Sequence, residues 1–189
     1  MLGAREGAVK HLVIAVVMAF VVGSVARANA VADAWDERET GLKRAAAVIA
    51  ECLGREASRP PNGAEPCVHI VFQTCEKEHG TSQHDLNDCA YVSRFAWEAR
   101  LNALRSQLLS AKVHPDGNED PEPMKRLFRA ADRQWIEWNK ADCEMQVARD
   151  GGSMLPMVTH LCFSRHAALR TLELEDMKFW WAKAFDLPD

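Results

Sequence analysis

The chain is 189 residues long, with 23 lysines and arginines, 27 aspartates and glutamates, six cysteines and 48% hydrophobic residues. Arg5, Lys10, Arg27 and Glu6 belong to an N-terminal leader; taking three from the basic count and one from the acidic count leaves 20 against 26, a net charge of −6. That balance argues against nucleic acid as a partner and favours a cationic one, drawn by a long-range attraction that salt weakens.

The leader is read from its own pattern. Arg5, Lys10 and His11 make a basic start, and Leu12 to Val25 is an uncharged apolar run too short to span a bilayer comfortably. Ala28-Asn29-Ala30 supplies the small-x-small pattern of a cleavage site. Residues 1–30 therefore read as a signal peptide, cut after Ala30 or alternatively after Ala28; an uncleaved anchor is the competing reading. No cysteine follows at a lipidation position, and no second long apolar stretch appears. The mature chain, 31–189, is expected to be a single domain in the periplasm or outside the cell, free of the membrane once the signal is removed.

Ala34 to Leu53 has helical spacing through Trp35, Leu42, Ala45, Ile49 and Cys52. Gly54 suits its end, and Arg59-Pro60-Pro61-Asn62-Gly63 reads as a loop. Val68 to Phe72 is too short for periodicity to choose between strand and helix. A second long helix is expected from Ser82, where Ser82-Gln83-His84-Asp85 resembles a capping box. Its stripe is Leu86, Cys89, Phe95, Leu101, Leu104 and Leu108, and it should stop before His114-Pro115. After a polar loop, Pro121 or Pro123 fits the first turn of a third helix that runs to about Arg149. Leu127, Ala131, Trp135, Trp138 and Cys143 mark one broad face of it, and Gly151-Gly152 ends it. A fourth helix follows Pro156 through Val158, Leu161, Cys162, Ala168, Leu172 and Met177. These elements predict an all-α, antiparallel bundle of about four helices.

All six cysteines, Cys52, Cys67, Cys75, Cys89, Cys143 and Cys162, lie after the leader. An even count in an exported chain implies disulfides, although six cysteines allow fifteen pairings. Pairing of neighbours is favoured, each bridge stapling a helix end to the adjoining loop. Cys67-x-His69 and His160-x-Cys162 fit none of the common zinc spacings. Neither a metal nor another cofactor is expected.

Cys75 is followed by Leu86-Asn87-Asp88-Cys89 at a helix start and by Leu101-Asn102 further along that helix. Trp135 then leads to Cys143, followed by Gly151-Gly152-Ser153, Cys162, Arg170 and Leu174. In this order and spacing the stretch from Cys75 to Leu174 resembles the LprI-type lysozyme-inhibitor family of small exported bacterial proteins. Four positions depart from the family pattern: Glu98 replaces an aspartate, Arg105 a tyrosine, Asp132 a glutamine and Asn139 an arginine. The resemblance implies a helical, disulfide-bonded, cofactor-free protein that blocks lysozyme.

Animal-type lysozymes are cationic and cut sugars with two carboxylates in a cleft, so an inhibitor has only to occlude that cleft. Asp116, Glu119, Asp120 and Glu122 cluster in one connection and form the candidate partner-binding loop. A solvated linker is the plainer reading of the same residues. Phe179-Trp180-Trp181 is a candidate aromatic anchor, weighed against closure of the core. Trp135 and Trp138, three apart, suit a sugar platform or, more ordinarily, core packing. The alternative function is an interaction module or immunity-type protein for another cell-envelope partner. Catalysis is not expected: Glu98, Glu137, His84, His160 and His166 offer acids and bases, but no nucleophile elbow, metal motif or phosphate loop accompanies them. Glu98 is expected to pair locally, with Arg105 or Asn102.

Overall fold

The computed structural model describes residues 38–55, 65–150 and 152–188. The leader with its cleavage site, Trp35, the Arg59 to Gly63 loop and Gly151 lie outside the described residues. By contact density the chain divides into Met1–Gly41 and Leu42–Asp189. Of the first unit, residues 38–41 are described, as helix.

Helix α1 covers 38–55 and buries Ala45, Ile49 and Cys52 at the predicted spacing. A 3-10 turn, Glu65–His69, leads directly into helix α2, Ile70–His79. The apolar run that the sequence left undecided is thus helical, with Val68 and Val71 buried. Gly80 closes α2 at φ 109°, a left-handed conformation that glycine adopts without a Cβ clash.

Helix α3, Gln83–Leu109, starts where its sequence signals it. The Ser82 hydroxyl oxygen accepts from the Asp85 N–H at 3.2 Å, and the hydroxyl donates to the Asp85 carboxylate at 2.6 Å. A two-residue strand β1, Lys112–Val113, follows, then helix α4, Glu122–Asp150, helix α5, Leu155–Ala184, and strand β2, Phe185–Asp186. Consecutive long helices alternate in direction, so α3 and α5 run the same way: Ser93 meets Ser164 at one level, and Arg100 meets Glu175 at the next.

Contact between α3 and α5 is built from small residues beside large ones. Ala90, Ser93, Ala96, Ser164, Ala167 and Ala168 are buried and leave room for close approach. The two serine hydroxyls satisfy each other at 2.8 Å, and Thr171 donates to the Ala167 carbonyl at 2.7 Å. Around them Trp97, Leu101, Leu104, Leu108 and Leu174 are sealed from solvent. Each such leucine contributes roughly 2 kcal/mol of burial.

The disulfides join Cys52 to Cys67, Cys75 to Cys89 and Cys143 to Cys162. Pairing is between neighbours. Only the first links a helix to an adjoining turn, however; the other two join helix to helix, because their cysteines lie within α2, α3, α4 and α5. The predicted face of α4 also needs correction. Phe128 and Cys143 are buried and Trp135 half-buried, whereas Leu127 and Ala131 point outward and Trp138 leaves about half of its surface exposed. The reason is geometric: α5 covers α4 along the line of Phe128, Trp135 and Cys143, and the broad apolar stripe is wider than that line.

Candidate functional site

The β1–β2 pairing, Lys112 with Asp186 and Val113 with Phe185, lays the acidic loop beside the C-terminal end of α5. The four predicted loop acids are all exposed there, but their roles differ. Asp120 accepts from the Glu122 N–H at 3.0 Å and so caps α4. Glu122 accepts from the Lys125 ammonium at 3.0 Å and lies 3.8 Å from Arg129. The Lys125 hydrogen bond first, and then the charges of Lys125 and Arg129, hold its carboxyl below the usual range. Asp116 is tied through its backbone N–H to His114 Nδ1 at 3.2 Å.

Glu119 lines a cleft of about 430 Å³. Glu173 and Asp176 face the same cleft from α5. Its apolar lining comes from Met177, Ala184 and the buried pair Trp181 and Phe185, with Met124 and Trp180 more exposed. Trp181 stands edge-on to Phe128 at 6.1 Å and to Phe185 at 5.6 Å. The aromatic tail therefore divides: Trp181 and Phe185 close the core, whereas Phe179 and Trp180 are 58% and 60% exposed. Lys183 rests over both exposed rings, 4.2 and 4.4 Å from their centres. Arg170 partners Glu173 at 2.8 Å. Glu173-Leu174-Glu175-Asp176 is a visible acidic run in the sequence, but its spacing does not disclose that Glu173 and Asp176 reach the cleft.

The opposite end of the α4–α5 pair is closed. His166 is buried beside the Cys143–Cys162 bridge, with Nδ1 at 2.8 Å from Asn139 Oδ1 and Nε2 at 3.3 Å from the Asp142 carboxylate. Trp138 stacks on the imidazole at 4.7 Å. Burial lowers the His166 pKa, with the Arg165 charge acting the same way and Asp142 opposing. Ligand atoms of Cys143, Cys162 and His166 converge within 4.8 Å, but the two sulfurs are bonded to each other and offer no thiolates.

The other candidate acids and bases are each engaged separately. Glu98 pairs with Arg94 at 2.8 Å, not with Arg105 or Asn102. The Arg94 guanidinium lies over Phe163 and Phe95, 4.2 and 5.2 Å from their centres. His160 packs edge-on to Tyr91 at 5.5 Å, and burial, then Arg94, lowers its pKa. His84 is exposed near Asp88, and Glu137 is exposed on α4. Arg105 joins Asp132 at 2.9 Å and Asn102 at 3.0 Å, with its guanidinium 5.1 Å from the Trp135 ring centre. Arg105 and Asp132 are thus partners of each other, and Asn139 is the partner of His166.

Among the described residues no helix is long and apolar enough to cross a membrane. No curated protein and no solved structure matches the chain. A family model described as lysozyme inhibitor LprI matches residues 75–174. That stretch runs from the Cys75 bridge on α2 through α3 and α4 into α5, and includes the Cys143–Cys162 bridge, the Arg105–Asp132 pair and Glu173 of the cleft; the chain belongs to the LprI lysozyme-inhibitor family.

Proposed function

We propose that the mature protein, residues 31–189, is an exported, non-catalytic inhibitor that binds a cationic lysozyme and occludes its substrate cleft. The observation that carries this reading is the family match across α3, α4 and most of α5. The geometry supports it with a contact surface of suitable chemistry. Glu119, Glu173 and Asp176 attract a basic side chain to the cleft, and the exposed part of Trp180 adds apolar contact surface beside them. Rigid aromatic surface beside carboxylates gives an anchor and an orientation at once. Of the predicted loop, Glu119 takes the contact role; Asp120 and Glu122 hold the start of α4.

The test is cell-wall lysis by an animal-type lysozyme, titrated with purified mature protein. Lysis is expected to fall as inhibitor is added, with weaker inhibition at high salt. Lysis that stays constant through a molar excess overturns the proposal, and a pull-down from envelope extract then identifies the other partner.

A further inference from the structure

Helix α4 carries a second surface, away from its buried line. Leu127, Ala131, Gln134, Trp138, Ala141 and Met145 are all exposed, and they recur at alternating spacings of four and three. Leu127 is 67%, Trp138 52% and Met145 64% exposed, large values for apolar side chains that share one line of a helix. Alternation of this kind makes a straight seam of the coiled-coil type, here ~27 Å long, with no charged residue in it. A helix whose outer seam is uncharged over five turns lacks a neighbour.

The geometry points to a second copy of this chain as that neighbour, with the two α4 helices antiparallel about a twofold axis that crosses the seam at the level of residue 136. The seam is complementary to its own reverse. Leu127 meets Met145 of the second copy, Ala131 meets Ala141, and Gln134 meets Trp138, so each large side chain faces a large or long one and the two alanines let the backbones approach. The charges beside the seam reverse in the same way. Arg126 and Arg133 flank its first half, Glu137 and Glu144 its second, on the same side of the helix. Antiparallel docking sets Arg126 against Glu144 and Arg133 against Glu137 of the second copy, twice over, as an isologous interface requires. Arg126, Arg133 and Glu137 make no ion pair among the described residues of their own chain. Parallel docking instead turns this flank toward the opposite flank of the second copy, and the four charges lose these partners. The interface lies beside the acidic cleft, because Met124, one step ahead of the seam, lines that cleft.

Sedimentation of the mature protein over a concentration series tests this. The wild type is expected to dimerise, and Leu127→Glu with Met145→Glu to weaken association by roughly thirtyfold or more, the weight of a buried anchor. Both sites are exposed in the monomer, so helicity and melting should be kept. Charge reversal gives an independent arm. Arg126→Glu/Arg133→Glu and Glu137→Arg/Glu144→Arg should each lose the homodimer, and an equimolar mixture should recover a heterodimer. A wild type that stays monomeric at high micromolar concentration overturns the inference. So does a dimer indifferent to the seam variants, or a mixture that fails to associate. Lysozyme inhibition by a monomeric seam variant separates this inference from the function proposed above.

Discussion

The two ends of the α4–α5 pair solve the same packing problem in different ways. At one end a disulfide and a hydrogen-bonded histidine, Asn139 and Asp142 included, fill the space between the helices. At the other the helices are joined by Phe128, Trp181 and Phe185 and by a two-residue sheet, and an acidic cleft stands open beside them. The closed end has its polar groups committed to each other, so its residues act on stability. At the open end Glu119 and Asp176 are exposed at the cleft and Trp180 keeps most of its surface, so the proposed contact draws on those residues.

The largest expected effect sits at the closed end. Cys143→Ser paired with Cys162→Ser removes a bridge across 19 residues, for a loss of about 3 kcal/mol and ~10 °C in thermal melting. Lysozyme inhibition measured well below the new melting point should persist; its loss would erase the distinction between the ends. Next comes the ion pair that ties α4 to α3. Arg105→Tyr or Asp132→Gln alone leaves one largely buried charge unpartnered and is expected to cost about 2 kcal/mol, whereas the double change recovers most of it. A double-mutant cycle by chemical denaturation measures the coupling, and additive losses would show that the two charges do not stabilise each other.

At the open end the readout inverts. Glu119→Gln, Asp176→Asn and Trp180→Ala should each leave melting nearly unchanged while the combination weakens inhibition about tenfold or more, the weight of one good contact. Inhibition unaltered in the triple variant moves the contact surface elsewhere on the protein. The smallest effect is the pH response. His160 and His166 have folded-state pKa values below that of the unfolded chain, burial being the main cause. The unfolded chain therefore binds more protons as pH falls through about 6.5, and the stability present above that value declines toward the lower folded-state pKa. Melting followed from pH 8 to pH 5 should show this fall, and His160→Gln with His166→Gln should flatten it.

Much of the scaffold was legible in the residues. Ser82 with Asp85, the proline at the start of α5 and the stripes of α1 and α3 act over a few residues, and local chemistry decides them. The disulfide partners were favoured on the same ground of proximity along the chain. Helix α2 was not legible, because Val68 to Phe72 is too short to show a period and its form depends on packing against α3. The outward turn of Leu127 and Ala131 was hidden for another reason. A wide apolar stripe does not disclose which of its edges α5 covers. The acidic loop was visible as a cluster, but the separate roles of Asp120 and Glu119 depend on the β1–β2 contact with residues far along the chain. Glu173 and Asp176 enter the cleft through that same contact.

The order of the sulfur bridges bears on how such a chain matures. Every bridge connects a cysteine to the next one in the chain, and no bridged segment encloses or overlaps another. A polypeptide threading through a pore with its amino end leading would present the correct partner for each odd-numbered thiol before any competitor arrived. Oxidation in order of emergence would then favour the native set over any crossed pairing.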